Sequence, residues 1–164
     1  MKSVMFSINK PHTDNIKAGL KLSELRTYPP KLTEAYKAYI YETLKHGGCG
    51  AVIGEFTAIN KERWRICAGI PSHLCANACI TEAEIYKYSL GGIRDITEIA
   101  ISDLVVYDKP KLLSEFYVAC PGKKQVGKCD KCDKTVGKET VECDNGKVRL
   151  IHPPQNWCYV EVSK

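Results

Sequence analysis

The chain has 164 residues, 44% of them hydrophobic and 26% charged, and carries a net charge of +5. That is the make-up of an ordinary soluble globular protein, and the length suits one domain spanning 1–164 with a real core. No apolar run approaches the roughly 20 residues of a membrane span, and the short apolar start lacks a signal-peptide core and a cleavage site, so a cytoplasmic protein with no membrane partner is expected.

In chain order, Val4 to Ile8 reads as a strand. Asn9-Lys10-Pro11 opens a short helix, with Pro in the first turn where its missing N–H costs nothing, and Gly19 closes it. Lys21 to Tyr28 reads as a second strand, stopped by Pro29-Pro30. Aromatic-rich Tyr36 to Glu42 reads as a third, and Ala51 to Ile59 as a longer fourth. A short helix over Glu62 to Cys67 is one reading of the next stretch. Thr81-Glu82-Ala83-Glu84 is a capping box, which predicts a helix with Ile85 and Tyr88 on one face, ended by Gly91-Gly92. Thr97 to Tyr107 alternates, placing Ile99, Ile101, Val105 and Tyr107 on one strand face, and Asp108-Lys109-Pro110 ends that strand. Cys120 to Lys147 has no amphipathic period and reads as a loop, and Trp157 to Val162 as the last strand. Five or six strands, with helices gathered in two connections, predict a closed mixed barrel of the α+β class.

Nine cysteines, an odd number, in a reducing compartment point to metal binding or burial rather than to disulfides. Cys120, Cys129, Cys132 and Cys143 are spaced C-x8-C-x2-C-x10-C around a C-x-x-C knuckle, which suits a closed tetrahedral Zn²⁺ shell. The surrounding loop is too poor in apolar residues to hold itself together, so bound metal would supply its folding energy. No thioredoxin-like pattern surrounds the knuckle, against a redox role; unliganded thiols are the other alternative, and His152 is a substitute ligand. Residues 120–149 carry eight Lys/Arg against five Asp/Glu, and this excess of cations offsets the charge of a four-thiolate zinc site. Cys67, Cys75 and Cys79 with His73 form a second, weaker candidate, and Cys49 and Cys158 read as buried singles.

The run Gly19-x-Lys21-x-x-Glu24-x-Arg26 lies at the first helix-to-strand junction. It resembles the signature of the ASCH (activating signal cointegrator homology) family of the PUA-like superfamily. Ser7-Ile8 with Pro11, Ala51 to Phe56, Ile101 to Leu104 through Lys109-Pro110, and Pro153-Pro154-Gln155-Asn156-Trp157 with Tyr159 and Glu161 agree in order and spacing. The resemblance implies a PUA-like mixed β-barrel with short helices and a cleft beside the first helix that takes RNA or a nucleotide. Against that pattern, 120–149 is a zinc-binding C-terminal insertion. Some relatives hydrolyse RNA or modified nucleosides, and the resemblance does not choose between binding and hydrolysis.

On their own physics, Glu24 and Arg26 share a strand face, and Lys21 lies opposite unless a bulge re-aims it. The Glu–Arg pair is either a structural ion pair or the lining of a cleft. In a cleft, Lys21 and Arg26 would meet phosphate while Glu24 bonds a base edge or acts as an acid or base. Lys10 and Glu55 are further candidates, Glu55 facing either the cleft or water. Trp157 packs in the core or stacks on a base with Tyr159. Hydrolytic relatives need a hydroxyl close to the motif lysine. Here the glutamate position holds Glu24, and Ser23, on the face of Lys21, is the nearest hydroxyl with Thr27. The expectation is RNA or nucleotide binding by Lys10, Lys21, Glu24, Arg26, Glu55 and Trp157. The alternatives are a hydrolase using Lys21, Ser23 and Glu24, and a protein-interaction module whose contact surface is the zinc loop.

Overall fold

The computed structural model describes residues 3–120, 143–144 and 147–162, with side chains given for all of these but 143–144. Nine strands form one mixed sheet among the described residues: β1 (Ser3–Ile8), β2 (Ser23–Arg26), β3 (Tyr36–Glu42), β4 (Ala51–Trp64), β5 (Ile96–Lys111), β6 (Phe116–Ala119), β7 (Cys143–Asp144), β8 (Lys147–Arg149) and β9 (Trp157–Val162). Their order is β2-β5-β4-β3-β1-β9-β6-β8-β7. Among the described residues only the β1–β3 pair is parallel, Val4 opposite Ala38 through Ile8 opposite Glu42. Three short helices, α1 (Lys10–Lys17), α2 (Ser72–Ala78) and α3 (Glu82–Tyr88), fill two connections. Among the described residues no helix is long and apolar enough to cross a membrane.

Period-2 alternation divides the apolar side chains between the two faces of the sheet. Val4, Phe6 and Ile8 of β1 join Ile16 of α1, Ile40 of β3 and Phe56 of β4 on one face. Met5 and Tyr39, one residue out of phase, pack with Phe116, Leu150 and Val160 on the other. A third cluster, built on Leu25, Leu74, Ala78, Ile85 and Ile96, seats α2 and α3 beside β2 and β5. Phe6 and Phe56 stack at 6.2 Å between ring centroids, a buried pair at the centre of the first cluster.

The mixed α+β expectation holds, and the strands at Tyr36–Glu42 and Trp157–Val162 match their predicted limits. Several details differ. The hydrogen-bonded ladder is open rather than closed among the described residues: β2 pairs with β5 alone, and its other edge meets β1 through a side chain, Arg26. β4 continues to Trp64 instead of giving way to a helix, because Asn60 to Trp64 pair with Ile96 to Ile99 of β5. β5 runs on through Pro110 to Lys111, which lies opposite Val52. The predicted common face of Ile99, Ile101, Val105 and Tyr107 is broken at Asp103, whose φ of +48° marks a bulge: Ile99 is buried whereas Val105 is 51% exposed. At that bulge the two strands crowd together, since a Cβ on Gly54 would lie 2.5 Å from the Val105 carbonyl oxygen. α2, β6 and β8 were not expected, and Cys143 to Asp144 is strand rather than loop. Cys49 is exposed rather than buried, and Cys158 is only partly buried, against the second cluster.

Candidate functional site

The helix α1 starts at the end of β1, with Pro11 in its first turn, and buries Thr13 and Ile16. Gly19, at φ +72°, turns the chain back toward β2. The strand does not begin at once. The Lys21 N–H still donates to the Asn15 carbonyl (3.1 Å) and the Leu22 N–H to the Asn77 carbonyl (2.7 Å), so the ladder starts only at Ser23. Lys21 therefore escapes the parity of the strand and lies on the side of Glu24, contrary to its predicted opposite face.

The three motif charges form one buried cluster. Lys21, Glu24 and Arg26 are 4%, 7% and 8% exposed, and Glu24 receives both cations: Lys21 Nζ lies 3.4 Å from Oε2 and Arg26 Nη2 3.1 Å from Oε1. Lys21 also donates to the Ala78 carbonyl at 2.8 Å, which ties α2 to the cluster. Arg26 donates to Ser7 O (3.1 Å) and to Asn156 Oδ1 (2.6 Å), and its guanidinium lies 5.1 Å from the Phe6 ring centroid. Burial alone would raise the Glu24 carboxyl, but the adjacent Lys21 and Arg26 charges outweigh it and hold the group below the ordinary range.

This cluster lines a cavity of about 240 Å³. His12 of α1 and Ile80, Glu84 and Tyr88 of the α2–α3 region complete its wall, with Ser7 and Asn9 on the β1–α1 side. Burial, then the nearby Lys21 charge, lowers the His12 pKa, so the imidazole is neutral at pH 7 and offers one donor and one acceptor. Glu84 is engaged by the Thr81 N–H and hydroxyl, both at 2.8 Å, in the predicted capping box. A second hollow, lined by Tyr41, Leu44, Lys45, Pro153 and Gln155, shares Ser7, Asn9 and Arg26 with the first.

The structure brings Lys21, Glu24 and Arg26 together and leaves the other candidates elsewhere. Lys10 pairs with Asp14 on the outer side of α1 at 3.0 Å. Glu55 binds Lys37 (2.6 Å) and the Tyr107 hydroxyl (2.5 Å), away from the cavity. Trp157 packs on the first apolar cluster and donates its indole N–H to the Tyr28 carbonyl at 2.6 Å. Ser23 is fully buried, does not line the cavity, and its hydroxyl has no hydrogen-bond partner. His12 and Tyr88 are the site residues that sequence reasoning missed. Tyr88 was legible as a helix-face residue, while a single histidine after Pro11 carries no periodic signal.

Of the predicted zinc ligands, Cys129 and Cys132 lie outside the described residues, as does the Cys143 side chain. Cys67, His73, Cys75 and Cys79 are not gathered into a metal-binding group: among the described residues no cluster of three or more His, Cys, Asp or Glu occurs. His73 instead meets the Trp64 ring edge-on at 5.2 Å.

No protein-family model and no curated protein sequence matches the chain. Solved structures do. The ASCH protein from Zymomonas mobilis aligns with a TM-score of 0.58 at 20% identity, over 68% of this chain and 74% of that one. A tyrosine-to-phenylalanine variant of it gives 0.58 at 19% identity, over 69% and 77%. A serine-to-alanine variant gives 0.55 at 21% identity, over 68% and 75%. The chain has an ASCH-like fold.

Proposed function

We propose that the protein is a cytoplasmic RNA- or nucleotide-binding protein of the ASCH family, taking a base in the cavity walled by His12, Lys21, Glu24 and Tyr88. The observation that carries this reading is the donor–acceptor pair at the cavity floor. The Lys21 ammonium and the Glu24 carboxylate, 3.4 Å apart, match the adjacent acceptor and N–H donor on the Watson–Crick edge of a base. Neutral His12 adds a further polar contact, and Tyr88, 40% exposed at the rim, supplies a stacking surface. The same geometry favours binding over hydrolysis. A carboxylate clamped between two cations is a poor proton acceptor near pH 7, and the Ser23 hydroxyl does not reach the cavity.

Fluorescence anisotropy with a single-stranded RNA octamer tests the reading. Binding is expected at 50 mM salt and should weaken at 200 mM, as phosphate contacts require. Tyr88→Ala should weaken it roughly 5- to 150-fold, the value of one base stack, while shifting stability by no more than about 0.5 kcal/mol. No RNA or nucleotide binding at 50 mM salt overturns the proposal.

We also propose that Cys120, Cys129, Cys132 and Cys143 hold one structural Zn²⁺. The cysteine spacing supports this, since C-x8-C-x2-C-x10-C around a C-x-x-C knuckle supplies four thiolates for a closed tetrahedral shell. The ion would supply folding energy to that segment and no chemistry in the cavity. Elemental analysis should give about one zinc per chain, and Cys129→Ser/Cys132→Ser should abolish it while leaving the sheet folded by circular dichroism. Full zinc retention in the double variant overturns the assignment.

A further inference from the structure

The two hollows that meet at Arg26 differ in charge. In the first, Lys21 and Arg26 are matched by Glu24 and Glu84, so its formal sum is zero and a phosphate gains little there. The second, of about 590 Å³, has no carboxylate in its wall among the described residues. Its cations are Arg26, which is already spent on Glu24, Ser7 and Asn156, and Lys45. Lys45 has no ion-pair or hydrogen-bonding side-chain partner among the described residues, and it stands on an exposed 3₁₀ turn beside Leu44, which is 73% exposed. The opposite wall is anchored, since the Ser7 hydroxyl donates to the Pro154 carbonyl at 2.6 Å and holds 153–155 against β1. A neutral polar hollow thus opens, past a fixed arginine, into one with a single uncommitted cation and apolar flanks.

We infer that the site is built for a nucleotide within a strand: the first hollow takes a base, and the second takes the adjoining phosphate on Lys45 and the next nucleoside against Leu44 and Pro153. This rests on the base-binding reading above and adds direction to it. The cavity reads the base, and the second hollow distinguishes a strand from a free nucleoside. Charge placement decides the assignment, because a phosphate is drawn to the wall that lacks carboxylates.

The test compares the four ribonucleosides with the four homodinucleoside monophosphates, in which one phosphate joins two nucleosides, by NMR titration of the wild type and of Lys45→Glu. For the best base, the dinucleoside monophosphate should bind about tenfold tighter than the nucleoside and should alone perturb the Lys45 and Gln155 amide signals. Lys45→Glu should reduce that ratio to about one and leave nucleoside affinity within about twofold, because Lys45 does not line the first hollow. If the dinucleoside binds no tighter than the nucleoside, or Lys45→Glu weakens both alike, the inference is overturned while the base-binding reading stands. If neither probe nor the RNA octamer binds, both are overturned.

Discussion

Arg26→Ala is expected to lower the unfolding free energy by about 3–5 kcal/mol, through its lost charge-assisted bonds, and Glu24→Gln/Arg26→Ala to recover none of that loss. The guanidinium is buried and does four things at once. It neutralises Glu24, satisfies the Ser7 carbonyl, bonds Asn156, and covers the Phe6 ring. Removing it leaves a buried carboxylate with Lys21 as its remaining counter-charge, at 3.4 Å, and frees the open edge of β2 from β1 and from the chain entering β9. Replacing Glu24 with the neutral, near-isosteric Gln as well would leave the buried Lys21 ammonium without its counter-charge, so the double variant should be no more stable than the single one. Urea melts of the wild type, the single and the double variant measure both losses. A single-variant loss within about 0.5 kcal/mol would mean that the triad does not hold β2 in place.

The motif is therefore both scaffold and cavity wall, two readings that the sequence sets against each other. They exclude one another only if a charged residue lining a cleft must be exposed, and here the cleft floor is itself buried. The strands with strict alternation were legible almost to the residue, because one apolar face per strand leaves little freedom of register. Lys21 was misplaced because its parity was counted from a strand that starts two residues later, after backbone bonds to Asn15 and Asn77. α2 was missed because Ser72 to Ala78 buries only Leu74 and Ala78, one i,i+4 pair in a run with no capping signal. The far end of β4 was cut short for the opposite reason. Asn60 to Arg63 carry no alternating apolar face, which left a helix over Glu62 to Cys67 open, yet their backbone groups are satisfied by pairing with β5 rather than by burial. The second hollow was hardest to see, since its walls at 41–45 and 153–155 come from parts of the chain more than 100 residues apart.

The cavity also depends on a carboxylate that does not line it. Glu42, 4% exposed at the end of β3, accepts the Thr13 hydroxyl and the Cys49 N–H (3.0 Å), with Lys17 Nζ at 3.6 Å. Thr13 and Lys17 belong to α1, so this carboxylate, with the Thr43 hydroxyl bound to Asn9 at 2.7 Å, holds the helix that carries His12. Burial by itself would raise the Glu42 carboxyl; the Thr13 and Cys49 donors and the Lys17 charge outweigh it, and the group lies below its ordinary 4.5. A depressed folded-state pKa means that the unfolded chain takes up the proton first. The stabilisation is then complete above the unfolded value and lost as pH falls through the folded one. Glu42→Gln is thus expected to cost about 1–3 kcal/mol at pH 7, the value of buried hydrogen bonds to a charged group, and progressively less below about pH 4.5. The quantity to measure is the stability difference between wild type and Glu42→Gln from pH 7 to pH 3. It should shrink toward zero across the acid range, and nucleoside affinity in the variant should fall at pH 7, where α1 has lost its anchor. A difference that stays constant with pH would show that Glu42 stabilises the helix by shape rather than as an anion, and unchanged nucleoside affinity would show that His12 does not need that anchor to reach the base.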